Sequence, residues 1–192
     1  MNRFGVRKPI VIFIVTSLVV LAIDQLSKAA AVRYLKPRIE SGEGPIYLWN
    51  PWLRLTYTEN SGAAFGLGTG YTWVFTGVAI VVGFVVIRFS RTITSIPWAL
   101  AFAGLLGGLL GNLTDRIFRP PGPGIGWVVD FIGLPNFPVF NVADMSITFA
   151  AVGMILLAWR GVAISHSTSP TELGIEHREI EVSAEGEIAI RG

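Results

Sequence analysis

Residues Ile10–Val32 read IVIFIVTSLVVLAIDQLSKAAAV, a nearly unbroken apolar run that closes over Asp24, Gln25 and Lys28. A helix needs about 20 residues to cross about 30 Å of hydrocarbon, and this run is long enough. Arg3, Arg7 and Lys8 precede it in the manner of a signal peptide's charged start. No small-residue cleavage site follows, so the run reads as a retained helix. Three further stretches have the same character: Tyr71–Phe89, Ile96–Leu113 and Phe140–Trp159. Lipid offers no partner to a peptide group, so each must bond internally as a helix. Four spans in so short a chain predict an all-α membrane protein.

Composition agrees. Charged residues make up 15% of the chain, hydrophobic residues 52%, and the mean hydropathy is +0.58. A soluble domain carries about a quarter charged residues, so a water-facing shell is lacking and a lipid-facing one is implied. The net charge of +2 is small, and no basic patch with interleaved aromatics suggests nucleic acid. Cysteine is absent, which excludes disulfides, thiolate metal sites and a cysteine nucleophile. The two histidines, His166 and His177, lie in the polar tail. A Ser-His-Asp triad or a zinc centre within the membrane is therefore not expected.

Between the first two spans, Arg54 and Thr56 alternate with Leu53, Leu55 and Tyr57 as in a half-buried strand. Trp49 and Trp52 suit a membrane interface. This segment predicts a small extracytoplasmic β-sheet lying on the membrane surface. RPPGPGIG, residues 119–126, is too rich in proline and glycine for helix or strand. Residues 1–164 read as one four-helix unit, and residues 165–192 as a flexible cytoplasmic tail with a short strand near Glu179–Val182. Basic residues do not orient the bundle. Arg3, Arg7, Lys8, Arg88, Arg91 and Arg160 on the terminal side balance Arg33, Lys36, Arg38, Arg54, Arg116 and Arg119 on the other.

Ionisable groups in or beside membrane helices are costly and mark function. Here they are Asp24, Lys28, Asp115, Arg116 and Asp144. Asp115 ends the third span and Asp144 begins the fourth, so the hairpin between them brings both to one surface. Two close carboxylates do not ionise together easily, and a pair that shares a proton offers an acid and a base at once. Asn112-Leu-Thr-Asp115 and Asn141-Val-Ala-Asp144 repeat one pattern, an amide three residues before an acid and on the same helical face. Capping of a helix start is the competing, lesser reading of Asn141 and Asp144. It explains Asp115 poorly, because an acid at a helix C-terminus opposes the dipole. Asp24 and Lys28, four apart, read as an intrahelical ion pair supporting the site. Gly104, Gly107, Gly108 and Gly111 give small-xxx-small spacing for close helix packing. Asn60-Ser-Gly62 opens a glycine-containing loop, with Asn60 placed to reach a peptide.

DQLSK (24–28), NSGAAF (60–65), GGLLGNLTDR (107–116), VDF (129–131) and FNVAD (140–144) occur in this order. Together they resemble the signature blocks of bacterial lipoprotein signal peptidase, or signal peptidase II. The resemblance covers about residues 20 to 160. It implies a membrane aspartic endopeptidase that removes signal peptides from prolipoproteins, cutting before a diacylglyceryl-modified cysteine. It implies no cofactor and no metal. Its partners are lipid-modified prolipoprotein substrates and membrane lipids, and the chain acts as a monomer. Carried over by position, Asp115 and Asp144 correspond to the catalytic pair. Asn60, Asn112, Arg116 and Asn141 line the site, and Asp24, Lys28, Gly62 and Asp130 support it. The implied location is the bacterial cytoplasmic (inner) membrane, multi-pass, with both termini cytoplasmic and the site near the outer face. The segment before Val129 is longer and richer in proline than the family pattern, and the tail is extended. A small proton-coupled transporter is the alternative reading, and a non-catalytic lipoprotein chaperone a second. A transporter favours acids at mid-membrane, and here the two key acids stand at helix ends.

Overall fold

The computed structural model of the chain describes residues 7–62 and 71–165. The expected tail strand and Ala63–Phe65 of the loop block lie outside the described residues. Helix α1 (Arg7–Ala30) passes through a π-helical turn, Ala31–Leu35, into the short α2 (Lys36–Glu40). Strands β1 (Ile46–Trp49) and β2 (Leu53–Asn60) follow, then α3 (Thr72–Ser90), α4 (Ile96–Phe118), β3 (Val128–Gly133) and α5 (Val142–Trp159). Four helices, Lys8–Glu40, Thr72–Ser90, Ile96–Phe118 and Val142–Trp159, are long and apolar enough to cross a membrane.

The bundle is inverted relative to a soluble protein. Leu18, Phe84, Phe149 and Trp159 point outward and are exposed, while Asp24, Lys28, Asp115 and Asn141 are among the most deeply buried side chains. That distribution suits a hydrocarbon surround. Two helix limits differ from the sequence expectation. The third span runs past Leu113 to Phe118, which carries Asp115 inside the last turns of α4. The fourth starts after Phe140, whose backbone pairs instead with Ile132.

Helix α4 lies between α1 and α5, and its glycines explain why it fits. A Cβ on Gly107 would sit 2.7 Å from Val20 of α1, and one on Gly108 would sit 2.6 Å from the Ala143 carbonyl oxygen of α5. A Cβ on Gly111 would lie 2.5 Å from the Asp24 carboxylate. The small residues thus set two helix contacts at once, as the spacing predicts. Gly108→Ala forces α5 backbone to move and lowers stability by about 1–3 kcal/mol. Gly153, with open space around it, tolerates alanine. Thermal midpoints in detergent check the contrast.

The three strands form one antiparallel sheet, ordered β1-β2-β3. Non-local pairing brings β3 back beside β2, with Thr58 opposite Asp130 and Asn60 opposite Val128. Asn60 and Asp130 are therefore diagonal neighbours on one face, within side-chain reach. On the other face, Val129 and Phe131 pack against Ala31 and Leu35 of the π-helical turn. This small core ties the sheet to the end of α1.

Candidate active site

Asp24 and Lys28 share a face of α1 and form the expected ion pair at 2.9 Å. Lys28 also reaches across to α4. Its Nζ lies 2.9 Å from Asp115 Oδ2 and donates to Asn112 Oδ1 at 2.9 Å. Asp24 Oδ1 accepts from the Ala143 backbone N–H at 2.8 Å, one of the amides a helix start leaves without an internal partner. Asn141 caps α5 through Asp144 N, while Asp144 Oδ2 accepts from Asn141 N, a reciprocal capping box. The capping role is real, and it leaves Asp144 Oδ1 for Asn112 Nδ2, which donates at 2.8 Å.

Asp115 is held differently from what its place in the sequence suggests. It is 1% exposed. Oδ1 meets Arg119 Nε at 2.6 Å, and Oδ2 meets Lys28 and, at 3.2 Å, the Val129 backbone N–H. Two cations and a peptide group occupy it fully. The expected pairing of Asp115 with Asp144 is not the one the fold makes. The acid that joins Asp144 is Asp130 of β3. Asn141 Nδ2 donates to Asp130 Oδ1 at 2.6 Å while the backbone of the same residue donates to Asp144. Asn60 Nδ2 donates to Asp130 Oδ2 at 3.0 Å, and Asn60 Oδ1 accepts from Gly62 N.

Asp130 and Asp144 both line a cavity of about 500 Å³, together with Asn60, Gly62, Asn112 and Arg116. Asp115 is not among its lining residues. The opposing walls are apolar: Phe75 of α3, Leu134 and Phe137 of the β3–α5 connection, and Ile147 and Phe149 of α5. Arg116 Nη2 donates to the Gly62 carbonyl at 2.8 Å, and its guanidinium lies over the Phe75 ring. Arg116 Nη1 is the one buried side-chain nitrogen or oxygen without a partner among the described residues. Burial, and after it the negative charge of Asp144, pushes the Asp130 carboxyl up to about 7, against the opposing effect of the Asn60 and Asn141 amides. One proton at neutral pH is thus available where two carboxyls face the same space.

A family model for signal peptidase II matches residues 16–160, from the first helix to the end of the last. The chain belongs to the signal peptidase II family. Among similar proteins, a lipoprotein signal peptidase of Streptomyces coelicolor is 44% identical over 158 residues, covering 82% of this chain and 74% of that one. A lipoprotein signal peptidase of Mycobacterium tuberculosis is 43% identical over 144 residues, covering 74% and 68%. A solved bacterial membrane enzyme superposes with a TM-score of 0.67 at 24% identity, over 82% of this chain and 93% of its own, and so shares the fold.

Within this signal peptidase II fold, the residues singled out in the sequence converge on one end of the bundle. Asn60, Gly62, Asn112, Arg116, Asp130, Asn141 and Asp144 surround or brace the cavity, and Asp24, Lys28 and Asp115 form the ion cluster behind it. Sequence reasoning missed Gln25, which donates to the Gly111 carbonyl at 3.0 Å and lies 3.4 Å from Asp115 Oδ1. It also missed Arg119 as the partner of Asp115, although a base four residues after an acid on a helix is a readable sign. Asp130 carried one as well: it is the lone acid in the apolar strand VVDFIG.

Proposed function

We propose that this signal peptidase II is an aspartic endopeptidase that removes signal peptides from diacylglyceryl-modified prolipoproteins, with Asp130 and Asp144 as the reacting pair. The observation that carries the assignment is that these two carboxyls line one cavity and are held by one residue, Asn141. Asp115 faces its own cations instead.

The chemistry follows from a shared proton, as in the carboxyl pair of soluble aspartic proteases. Ionised Asp144 takes a proton from a water molecule between the pair. Protonated Asp130 gives its proton to the scissile carbonyl oxygen, and the water oxygen bonds to the carbonyl carbon. The tetrahedral intermediate then collapses: the C–N bond breaks, the amine leaves with a proton from Asp144, and Asp130 recovers its proton from the hydroxyl. Asn112 and the Asn141 backbone N–H hold Asp144 in place. Arg116 Nη1, buried and unpartnered among the described residues, donates to a substrate carbonyl. The apolar walls between α3 and α5 take the lipid on the modified cysteine, cleavage falls just before that cysteine, and the site lies at the outer face with both termini cytoplasmic. Nothing in the described bundle favours a transporter: its buried charges gather at one end and form no path across it.

The pH profile tests the pair. Asp130 must hold its proton, and its carboxyl sits near 7 rather than near 3.8. The kcat/KM of the unaltered enzyme therefore falls as pH rises through about 7. Because its folded value is raised, Asp130 contributes stability that is complete below about 3.8 and is lost as pH rises through about 7. In reconstituted membranes carrying a lipid-modified precursor, Asp115→Asn slows cleavage yet keeps the fall near 7. A profile in Asp115→Asn without that fall assigns the proton to Asp115 and overturns the reading.

A further inference from the structure

Lys28 is more than a charge to balance. Its ammonium has three N–H donors and no acceptor, and each has a separate target at 2.9 Å: Asp24 Oδ2, Asp115 Oδ2 and Asn112 Oδ1. The side chain is wholly buried, so no solvent relaxes this arrangement. The third target has a consequence for Asn112. An amide facing an ammonium must present its oxygen, which turns its NH₂ the other way. That NH₂ meets Asp144 Oδ1 at 2.8 Å. The only other donor to Asn112 Oδ1 among the described contacts is Asn141 Nδ2, at 3.2 Å, and it is also committed to Asp130 at 2.6 Å.

We propose that Lys28 is a positioning residue for the cleavage step: it fixes the orientation of the Asn112 amide and so aims a hydrogen-bond donor at Asp144 from a helix that does not itself line the cavity. This rests on the reading of Asp144 as a reacting group. Lys28 is wholly buried and stands outside the cavity lining. Without it, the Asn112 amide is free to turn its oxygen towards the Asp144 carboxylate, which repels it, and the base loses its fixed place. A displacement of about 1 Å in a reacting group costs roughly a hundredfold in rate.

The test uses the full chain in lipid with a diacylglyceryl-modified precursor peptide. Asp24→Asn combined with Lys28→Met removes one anion and one cation, so the ion cluster stays neutral around Asp115 and Arg119. Relative to Asp24→Asn alone, the double variant loses about a hundredfold in kcat with KM changed less than about twofold, the mark of an interaction made in the transition state. Asn112→Ala costs a similar factor while Lys28 is present and less than about threefold once it is methionine, because the two act as one unit. Asn112→Leu in the otherwise unaltered chain repeats the question without touching Asp24: it has nearly the same shape, adds no charge beside Asp144, offers it no donor, and loses kcat with KM changed less than about twofold. Asn112→Leu that cuts at the full rate, or losses at Lys28 and Asn112 that multiply, overturns the positioning role. Cleavage by Asp144→Asn overturns the assignment of Asp144 itself, whereas an inactive Asp144→Asn beside multiplying losses sinks only the role of Lys28.

Discussion

Asp130→Asn and Asp144→Asn each slow cleavage of a lipid-modified precursor by about a thousandfold or more, while both proteins insert and fold. The size follows from what is removed. General acid and general base steps are worth about 10² to 10⁴ each, and neither carboxyl has a substitute in the cavity, since Asp115 is enclosed by Lys28 and Arg119. The fold survives for a separate reason. Asparagine has the shape of aspartate, and at Asp130 it relieves a buried charge whose cost is visible in the raised carboxyl. It disturbs one of the two amide contacts from Asn60 and Asn141, a loss of about 1–3 kcal/mol set against that relief. Rates in reconstituted membranes, with thermal midpoints alongside, check both halves. An Asp130→Asn enzyme that cuts within tenfold of the unaltered chain removes Asp130 from the chemistry.

The same residues show what a sequence can and cannot tell. The four spans were legible because nothing else explains runs such as Ile10–Val32 in a chain so poor in charge. The capping box at Asn141 and Asp144 was legible because a cap depends only on neighbours three apart. The partner of Asp144 was not. The repeated N-x-x-D pattern invites each amide to serve the acid on its own helix. In the fold the amides serve crosswise: Asn112 donates to Asp144, and Asn141 donates to Asp130. Which acid meets Asp144 is decided by the bridge between Ile132 and Phe140, which folds β3 back beside the start of α5 and sets Asp130 against Asn141, while pairing with β2 brings Asn60 to the same acid. Local spacing holds no trace of that register. Lys28 illustrates the same limit. Its pairing with Asp24 follows from helical spacing, but its reach to Asp115 and Asn112 follows from how closely Gly107 and Gly111 let α4 approach α1.

That closeness makes Lys28→Met a severe change to stability. Methionine fills much the same volume, so packing is nearly conserved and the effect is electrostatic. Removing the ammonium leaves Asp24 with one backbone amide and the Gln25 side chain, and leaves Asp115 with Arg119 as its remaining cation. A buried ion pair broken on one side costs about 3–5 kcal/mol, because the surviving charge is neither solvated nor paired. A large share of a domain's net stability, about 5–15 kcal/mol, is then gone. Lys28→Met therefore accumulates poorly in the membrane and melts well below the unaltered chain in detergent. Adding Asp24→Asn restores most of the midpoint, since the orphaned anion is removed with its partner while the amide oxygen still accepts from Ala143. Recovery by Asp24→Asn separates charge balance from lost packing. If the double variant melts as low as the single one, the ammonium's role in stability lies in its contacts with Asn112 and Asp115 and not in neutralising Asp24.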